Sequence, residues 1–228
     1  NIRTPRTAIV GTDEYDIFME RNRLHELVNK EHDYEKVRRI FLEAELSYNL
    51  QKKLKQLLKL VDRPLAVRSS SLLEDSTLQP FSGVFETYLI PNNHPDFNVR
   101  LRQLMDAVKL VYSSIFSPHS RSYFEAIHVK LEDEKMAVVI QDVVGNHHDD
   151  HFYPHISGIA QSHNYYPVAH MEPEDGFGIA SLGLGHYVMN GERAYRFSPK
   201  FPTVEISSLE DQVRDSQLEF LAMDMNSS

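Results

Sequence analysis

The sequence predicts an α+β (mixed α/β) chain, with helices first and a mixture of strands and helices after them. Three observations predict it. Leu50, Leu54, Leu57, Leu58 and Val61 recur at helical spacing in the first third. Phe97, Leu101, Leu104, Val108, Tyr112 and Ile115 repeat at steps of three and four and form one helix face. Met136–Val144 is a continuous apolar and β-branched run, as a strand covered on both faces would be.

In order, residues 1–11 read as extended, with Ile2, Thr4, Thr7, Ile9 and Val10 around Pro5 and Gly11. Thr12 and Asp13 favour a helix start, and the helix runs to about Val28 with Phe18, Met19, Leu24 and Leu27 inward. A second helical stretch covers about Asp33 to Val61, with a break near Ser47–Asn49, until Pro64 stops it. Leu65–Val67 is a short strand, residues 69–83 a Ser/Thr/Pro/Gly-rich loop, and Glu86–Ile90 a second strand. Asp96 caps the long amphipathic helix, and Pro118–Ile127 is a further short one. After Met136–Val144, residues Asn146–His155 read as a polar loop. Strands are expected at His155–Gln161, Tyr166–His170, Phe177–Leu182 and Ala194–Phe197, with a turn region over Gly183–Glu192 between the last two. Ser208–Met223 reads as a terminal helix with Leu209, Val213, Leu218 and Leu221 apolar.

At 228 residues and 41% hydrophobic, the chain can bury a core as one large domain or two small ones. No sharp linker appears, so one domain is expected over 1–228: a helical part over about 12–62 and a sheet-containing part over about 63–228. The formal charge of -9 argues against a nucleic-acid partner, which would need a basic footprint. No run approaches the length of a membrane helix, so no membrane partner is expected. The chain has no cysteine, which excludes disulfides and thiolate metal sites and makes a cytoplasmic location the expectation. It starts at Asn1, and a piece of a longer protein is expected. A homodimer is left open.

The chemistry concentrates in Pro64–Tyr88, PLAVRSSSLLEDSTLQPFSGVFETY. Arg68 follows apolar Leu65–Val67 and stands at the expected loop mouth, with three serines after it. A guanidinium offers a planar fork of donors suited to a phosphate and keeps its charge near neutral pH. Serine hydroxyls and loop N–H groups add donors, and Gly83 lets the backbone approach a ligand. On the residues alone, an Arg68 that pairs with Glu74 or Asp75 to pin the loop is the stronger reading. The second polar cluster, Asn146–His155, holds His147, His148, His151 and His155 with Asp149 and Asp150. It reads as a solvated loop or as a metal site in which His148 and His151 share a zinc with a carboxylate.

Ala66-Val67-Arg68-Ser69-Ser70, Glu74-Asp75, Phe81-Ser82-Gly83 and Thr87-Tyr88-Leu89 match, in order and spacing, a pattern of the phosphoenolpyruvate synthase and pyruvate phosphate dikinase family, which includes rifampin phosphotransferases. The resemblance continues more thinly elsewhere. It runs through Asp13–Met19, Val111–Phe116, Arg121 with Tyr123, Met136–Val144, Ser157-Gly158-Ile159 and Leu182-Gly183-Leu184-Gly185. It implies a truncated ATP-grasp nucleotide-binding domain, a mixed sheet flanked by helices. It also implies that Arg68, as the catalytic residue of this stretch, contacts ATP phosphates, that Gly83 and Thr87 approach them through loop and strand, and that Gln141 lies on the adenine or ribose side. It implies ATP with Mg²⁺, and, in the full enzyme, transfer from ATP to a histidine on a phosphohistidine domain and then to pyruvate.

The chain departs from the family in several places. The glycine-rich segment with its ATP-reaching lysine is missing, as are the strand with Mg²⁺-binding carboxylates and any phosphohistidine motif, so the isolated stretch is expected to be inactive. Ser162-His163-Asn164 lacks the acidic residue the family carries after its central strand, and His186 replaces the carboxylate of G-L-G-E. These changes keep open a nucleotide-sensing or docking module without catalysis, or a different phosphoryl acceptor.

Overall fold

A computed structural model describes residues 2–28, 30–71, 84–131, 134–190, 193–206 and 208–226. The chain forms two compact units that meet in sequence at Val143 and Val144. The α+β class is observed.

The first unit is a four-stranded sheet with helices on one face. Its strands are β1 (Thr7–Val10), β2 (Leu65–Ser70), β3 (Thr87–Ile90) and β4 (Ala137–Asp142), in the order β1-β4-β2-β3. A mixed sheet was the expectation, yet every hydrogen-bonded pair here is antiparallel. The helical crossover from β3 to β4 does leave those two strands running the same way. However, β2 lies between them, so neither meets a parallel neighbour.

The helices are α1 (Thr12–Arg21), α2 (Leu24–Val28), α3 (Tyr34–Glu43), α4 (Tyr48–Leu60), α5 (Phe97–Ser113) and α6 (Pro118–Ala126). The single helix expected over 12–28 is two. Arg23 has φ 54, and the Asn22 amide ties the end of α1 to the backbone carbonyls of Phe18 and Glu45. The break rotates α2 so that Leu24 and Val28 turn inward while Leu27 stays exposed. The break expected near Ser47 falls just before α4, where the Ser47 hydroxyl accepts from the Leu50 N–H. Asp33, Asp96 and Ser117 cap α3, α5 and α6 in the same way. An aromatic cluster holds these helices together. Phe18 meets Phe41 at 5.6 Å and Tyr112 at 5.5 Å between centroids, and Tyr15 meets Tyr112 edge-on at 5.1 Å.

Ser47 also donates to Glu14 Oε2 at 2.6 Å, and Glu14 is buried. Ser47→Ala therefore removes a cap and a partner of a buried carboxylate together. We expect a loss of about 1–3 kcal/mol in urea unfolding; a change below about 0.5 kcal/mol would mean the pair carries little.

The second unit contains two three-stranded antiparallel sheets. One is β5 (Asn146–His148), β6 (His151–Tyr153) and β10 (Met223–Asp224), in the order β10-β6-β5. The other is β7 (Ile156–Gln161), β8 (Phe177–Leu182) and β9 (Tyr195–Phe197), in chain order. Asn146–His155, expected as a loop, is thus mostly a hairpin. Asp149 turns the chain at φ 51, and β10 supplies a second pairing edge to β6. Tyr166–His170 forms no strand. Pro167 offers no N–H, and Asn164 instead accepts from the Tyr166 N–H and the Arg196 guanidinium. The turn region expected at Gly183–Glu192 contains a short helix, α7 (His186–Asn190).

The terminal helix is only α8 (Leu209–Arg214). Beyond it the Gln217 side-chain amide bonds both the N–H and the C=O of Leu182, which draws the chain out of helical geometry. Leu209, Val213, Leu218 and Leu221, the apolar residues of the expected helix, are all exposed.

Candidate functional site: one open face of the four-stranded sheet

Side chains of β2 alternate. Leu65, Val67 and Ser69 are buried toward the helices, while Ala66, Arg68 and Ser70 face the other way. Cross-strand partners share a face, so the pairings define two rows on the open side. One row is Ile9, Val139, Arg68 and Thr87; the next is Thr7, Gln141, Ala66 and Leu89. Three of the four residues singled out in the sequence, Arg68, Thr87 and Gln141, therefore lie on one face. Gly83, like Glu74 and Asp75, lies outside the described residues.

Directly opposed side chains in an antiparallel pair sit about 5 Å apart and diagonal ones about 7–8 Å. Thr87 stands opposite Arg68, and Gln141 is its diagonal neighbour across β4. A phosphate held at Arg68 is thus within reach of the Thr87 hydroxyl. The Gln141 amide has a fixed position, since its Nε2 donates to Thr7 Oγ1 at 2.8 Å and Thr7 in turn donates to the Pro5 carbonyl.

The structure corrects the expected setting of Arg68. It does not follow the strand at a loop mouth but sits inside it, because β4 continues the ladder to the pair Ser70–Ala137. Alternation then turns Ser69 and Ser71 into the protein, and both are buried. Of the three serines after Arg68, Ser70 alone shares its face. β4 departs from its expectation as well. Val138 and Ile140 are buried, but Val139 and Gln141 on the other side are only partly covered.

Electrostatically, the two rows hold one charged side chain, Arg68, and no carboxylate, in a chain of formal charge -9. Arg68 is exposed and makes no ion pair among the described residues. Ile9 and Leu89 are exposed apolar residues at the two edges. The face therefore offers one cation, hydroxyl and amide groups, and apolar surface, which together suit an anion attached to a flat ring. Sequence reasoning missed Thr7, Ile9 and Leu89. Their period-2 alternation marks them as one-sided, but the face they share follows from strand register.

Other motif residues are engaged elsewhere. Arg121 donates to the carbonyls of Phe116, Val28 and Glu31, a tie between helix ends, and burial lowers its pKa. In the second unit, Ser157 Oγ donates to the Gly183 carbonyl at 2.6 Å, so the Ser157-Gly158 and Gly183–Gly185 motifs meet. Gly183 has φ 75, and a Cβ there would lie 2.6 Å from the Leu221 carbonyl oxygen, which requires glycine. His148 stacks on Tyr153 at 4.1 Å, with His155 edge-on to it at 5.2 Å. Among the described residues no group of three or more His, Cys, Asp or Glu is placed to hold a metal ion. The described residues therefore offer no Mg²⁺ site either.

A cavity of about 710 Å³ opens in the second unit over Ile156, Ala180, Leu182 and Tyr195. Its wall mixes Arg193 and Arg196 with Glu205, Asp211 and Asp215, so its charge is of both signs. No helix among the described residues is long and apolar enough to cross a membrane.

Comparison with known proteins agrees with the motif in β2 and β3. The family model for the pyruvate phosphate dikinase AMP/ATP-binding domain matches residues 1–227. The chain belongs to that family of AMP/ATP-binding domains. It is 32% identical over 129 residues to an uncharacterized phosphotransferase, YvkC, of Bacillus subtilis, covering 57% of this chain. It is 31% identical over 135 residues to a phosphoenolpyruvate synthase of Aeropyrum pernix, covering 58% of this chain. The matches span only 13% and 14% of those two proteins.

Proposed function

We propose that the open face of the β1-β4-β2-β3 sheet holds ATP, with its phosphates at Arg68 and Thr87 and its ring or ribose toward Gln141. Gly83 completes the phosphate cradle in this reading. The observation that carries it is the convergence of Arg68, Thr87 and Gln141 on one face, in two rows that hold one cation and no carboxylate among the described residues. Arg68 would neutralise charge on the phosphate oxygens and orient them, the main protein contribution to phosphoryl transfer. The nucleotide would occupy one wall of an ATP-grasp cleft.

In the whole protein, a phosphoryl group would pass from ATP to a histidine on a mobile domain and then to pyruvate. The reaction would be of the pyruvate, water dikinase type, with Mg²⁺ bound by residues other than those described here. The isolated stretch would bind nucleotide without turnover, in the cytoplasm. A second reading, a nucleotide-sensing module or a transferase with another acceptor, is favoured by His186 standing where the family has a carboxylate.

The test is amide chemical-shift mapping during an ATP titration. Shifts are expected to concentrate on β2, β3 and β4 around Arg68, Thr87 and Gln141. Shifts confined to residues 144–226 would overturn the placement.

A further inference from the structure

β3 is the edge strand that carries Thr87, and among the described residues it is paired on one side only. Its first ladder pair is Arg68–Thr87. An edge strand that short needs something besides four cross-strand pairs to fix where it begins. Alternation puts Thr87 on the open face and its neighbours Glu86 and Tyr88 on the helix side. There the Glu86 carboxylate is held from two directions. Tyr34, on α3, donates its hydroxyl to Oε1 at 2.9 Å, and Tyr88 donates to Oε2. Arg38, one turn along α3, lies over the Tyr34 ring at 5.9 Å, pairs with Glu35 at 3.2 Å and adds positive charge near the Glu86 carboxylate.

The support for this carboxylate is rigid. Asp33 caps α3, and its Val37 and Phe41 are fully buried in the core. Burial holds both tyrosine hydroxyls well above their usual pKa, so they remain donors throughout the ordinary pH range.

We propose that Glu86, clamped between Tyr34 and Tyr88, is a positioning residue that fixes the start of β3 and so holds Thr87 opposite Arg68 on the nucleotide face. The effect on ATP rests on the reading given under Proposed function; the clamp itself does not. Glu86 touches no ligand in this arrangement. It acts through the residue next to it, whose side chain must leave the strand on the opposite side.

Two measurements on the 228-residue chain separate the claims. In ATP-free protein, Glu86→Gln should speed hydrogen exchange of the β3 amides by about 10-fold, the effect of losing charge-assisted bonds. Exchange in α3 and α5 should stay unchanged. Tyr34→Phe should give a smaller effect in the same direction. Unchanged β3 exchange in both variants would overturn the clamp, and an equal acceleration in every helix would mean a general loss of stability instead.

The second measurement is an ATP-binding cycle with Thr87→Val. Glu86→Gln should weaken ATP several-fold in the parent and not at all in the Thr87→Val background. Equal weakening in both backgrounds would show that Glu86 does not act through Thr87. If ATP shifts no residue of the open face, the proposed function fails, while the exchange measurement still decides the clamp.

Discussion

Replacing Arg68 with alanine is expected to weaken ATP binding by about 10- to 150-fold while leaving the fold intact. The magnitude follows from losing charge-assisted hydrogen bonds worth about 1.5–3 kcal/mol. The intact fold follows from the position of the side chain. Arg68 is exposed, sits mid-strand between Val67 and Ser69, which are buried, and makes no ion pair among the described residues. The backbone ladder it belongs to does not need its side chain. Calorimetry on wild type and variant reads the affinity, and a thermal melt checks the fold. Arg68→Lys separates charge from geometry, since an ammonium keeps the attraction but loses the planar fork; it should fall between the two. The difference between wild type and variant should shrink as salt rises, because the face is open to solvent. Equal affinities for wild type and Arg68→Ala would remove Arg68 from the site.

The site was legible in the sequence as a set of residues and not as a place. Arg68 and Thr87 stand nineteen positions apart, and Gln141 belongs to a strand that follows two more helices. Nothing local says that they share a face. That depends on the register of β2 against β3 and β4, and a shift of one residue would turn Arg68 into the core. The reading of Arg68 at a loop mouth failed for the same reason. Ser69 and Ser70 look like loop residues by composition, but pairing with Val138 and Ala137 holds them in the ladder.

The helices with strong periodicity and a cap, α4 and α5, were legible almost to the residue. Those set by tertiary contacts were not. α1 ends where Asn22 reaches Glu45, and the last segment leaves helical geometry where Gln217 grips Leu182. In both cases a polar side chain bonds a backbone distant in sequence, which no local pattern encodes.

The aromatic core of the first unit should make the protein unfold in alkali well before its backbone chemistry is affected. Tyr15 and Tyr112 are buried, at 3% and 0% exposure. Burial, reinforced by the charges of Asp16 and Glu134 around Tyr15 and of Glu14 near Tyr112, pushes both phenols far above their usual pKa of 10. The sign follows directly. Below about pH 10 both states hold these protons, and the core contributes its full stability. Above it the unfolded chain releases them and the folded chain does not, so stability falls as pH rises. Each such tyrosine costs about 1.4 kcal/mol per pH unit, so the pair removes about 5 kcal/mol by about pH 12. That loss is comparable to the whole stability of many domains, about 5–15 kcal/mol.

Lysines titrate in the same range, so a variant must isolate the term. Tyr112→Phe keeps the ring against Phe18 and Tyr15 and removes a buried hydroxyl that has no hydrogen-bond partner among the described residues. At pH 8 the variant should be at least as stable as wild type, by up to about 2 kcal/mol, because an unsatisfied hydroxyl is no longer buried. Above pH 10 its stability should fall with a slope smaller by about 1.4 kcal/mol per pH unit. Urea unfolding followed by far-ultraviolet circular dichroism reads both quantities, the chain having no tryptophan to report on the core. Parallel slopes for wild type and Tyr112→Phe would show that the Tyr112 phenol ionises in the folded protein, and that water or a carboxylate shift relieves the charge its surroundings otherwise forbid.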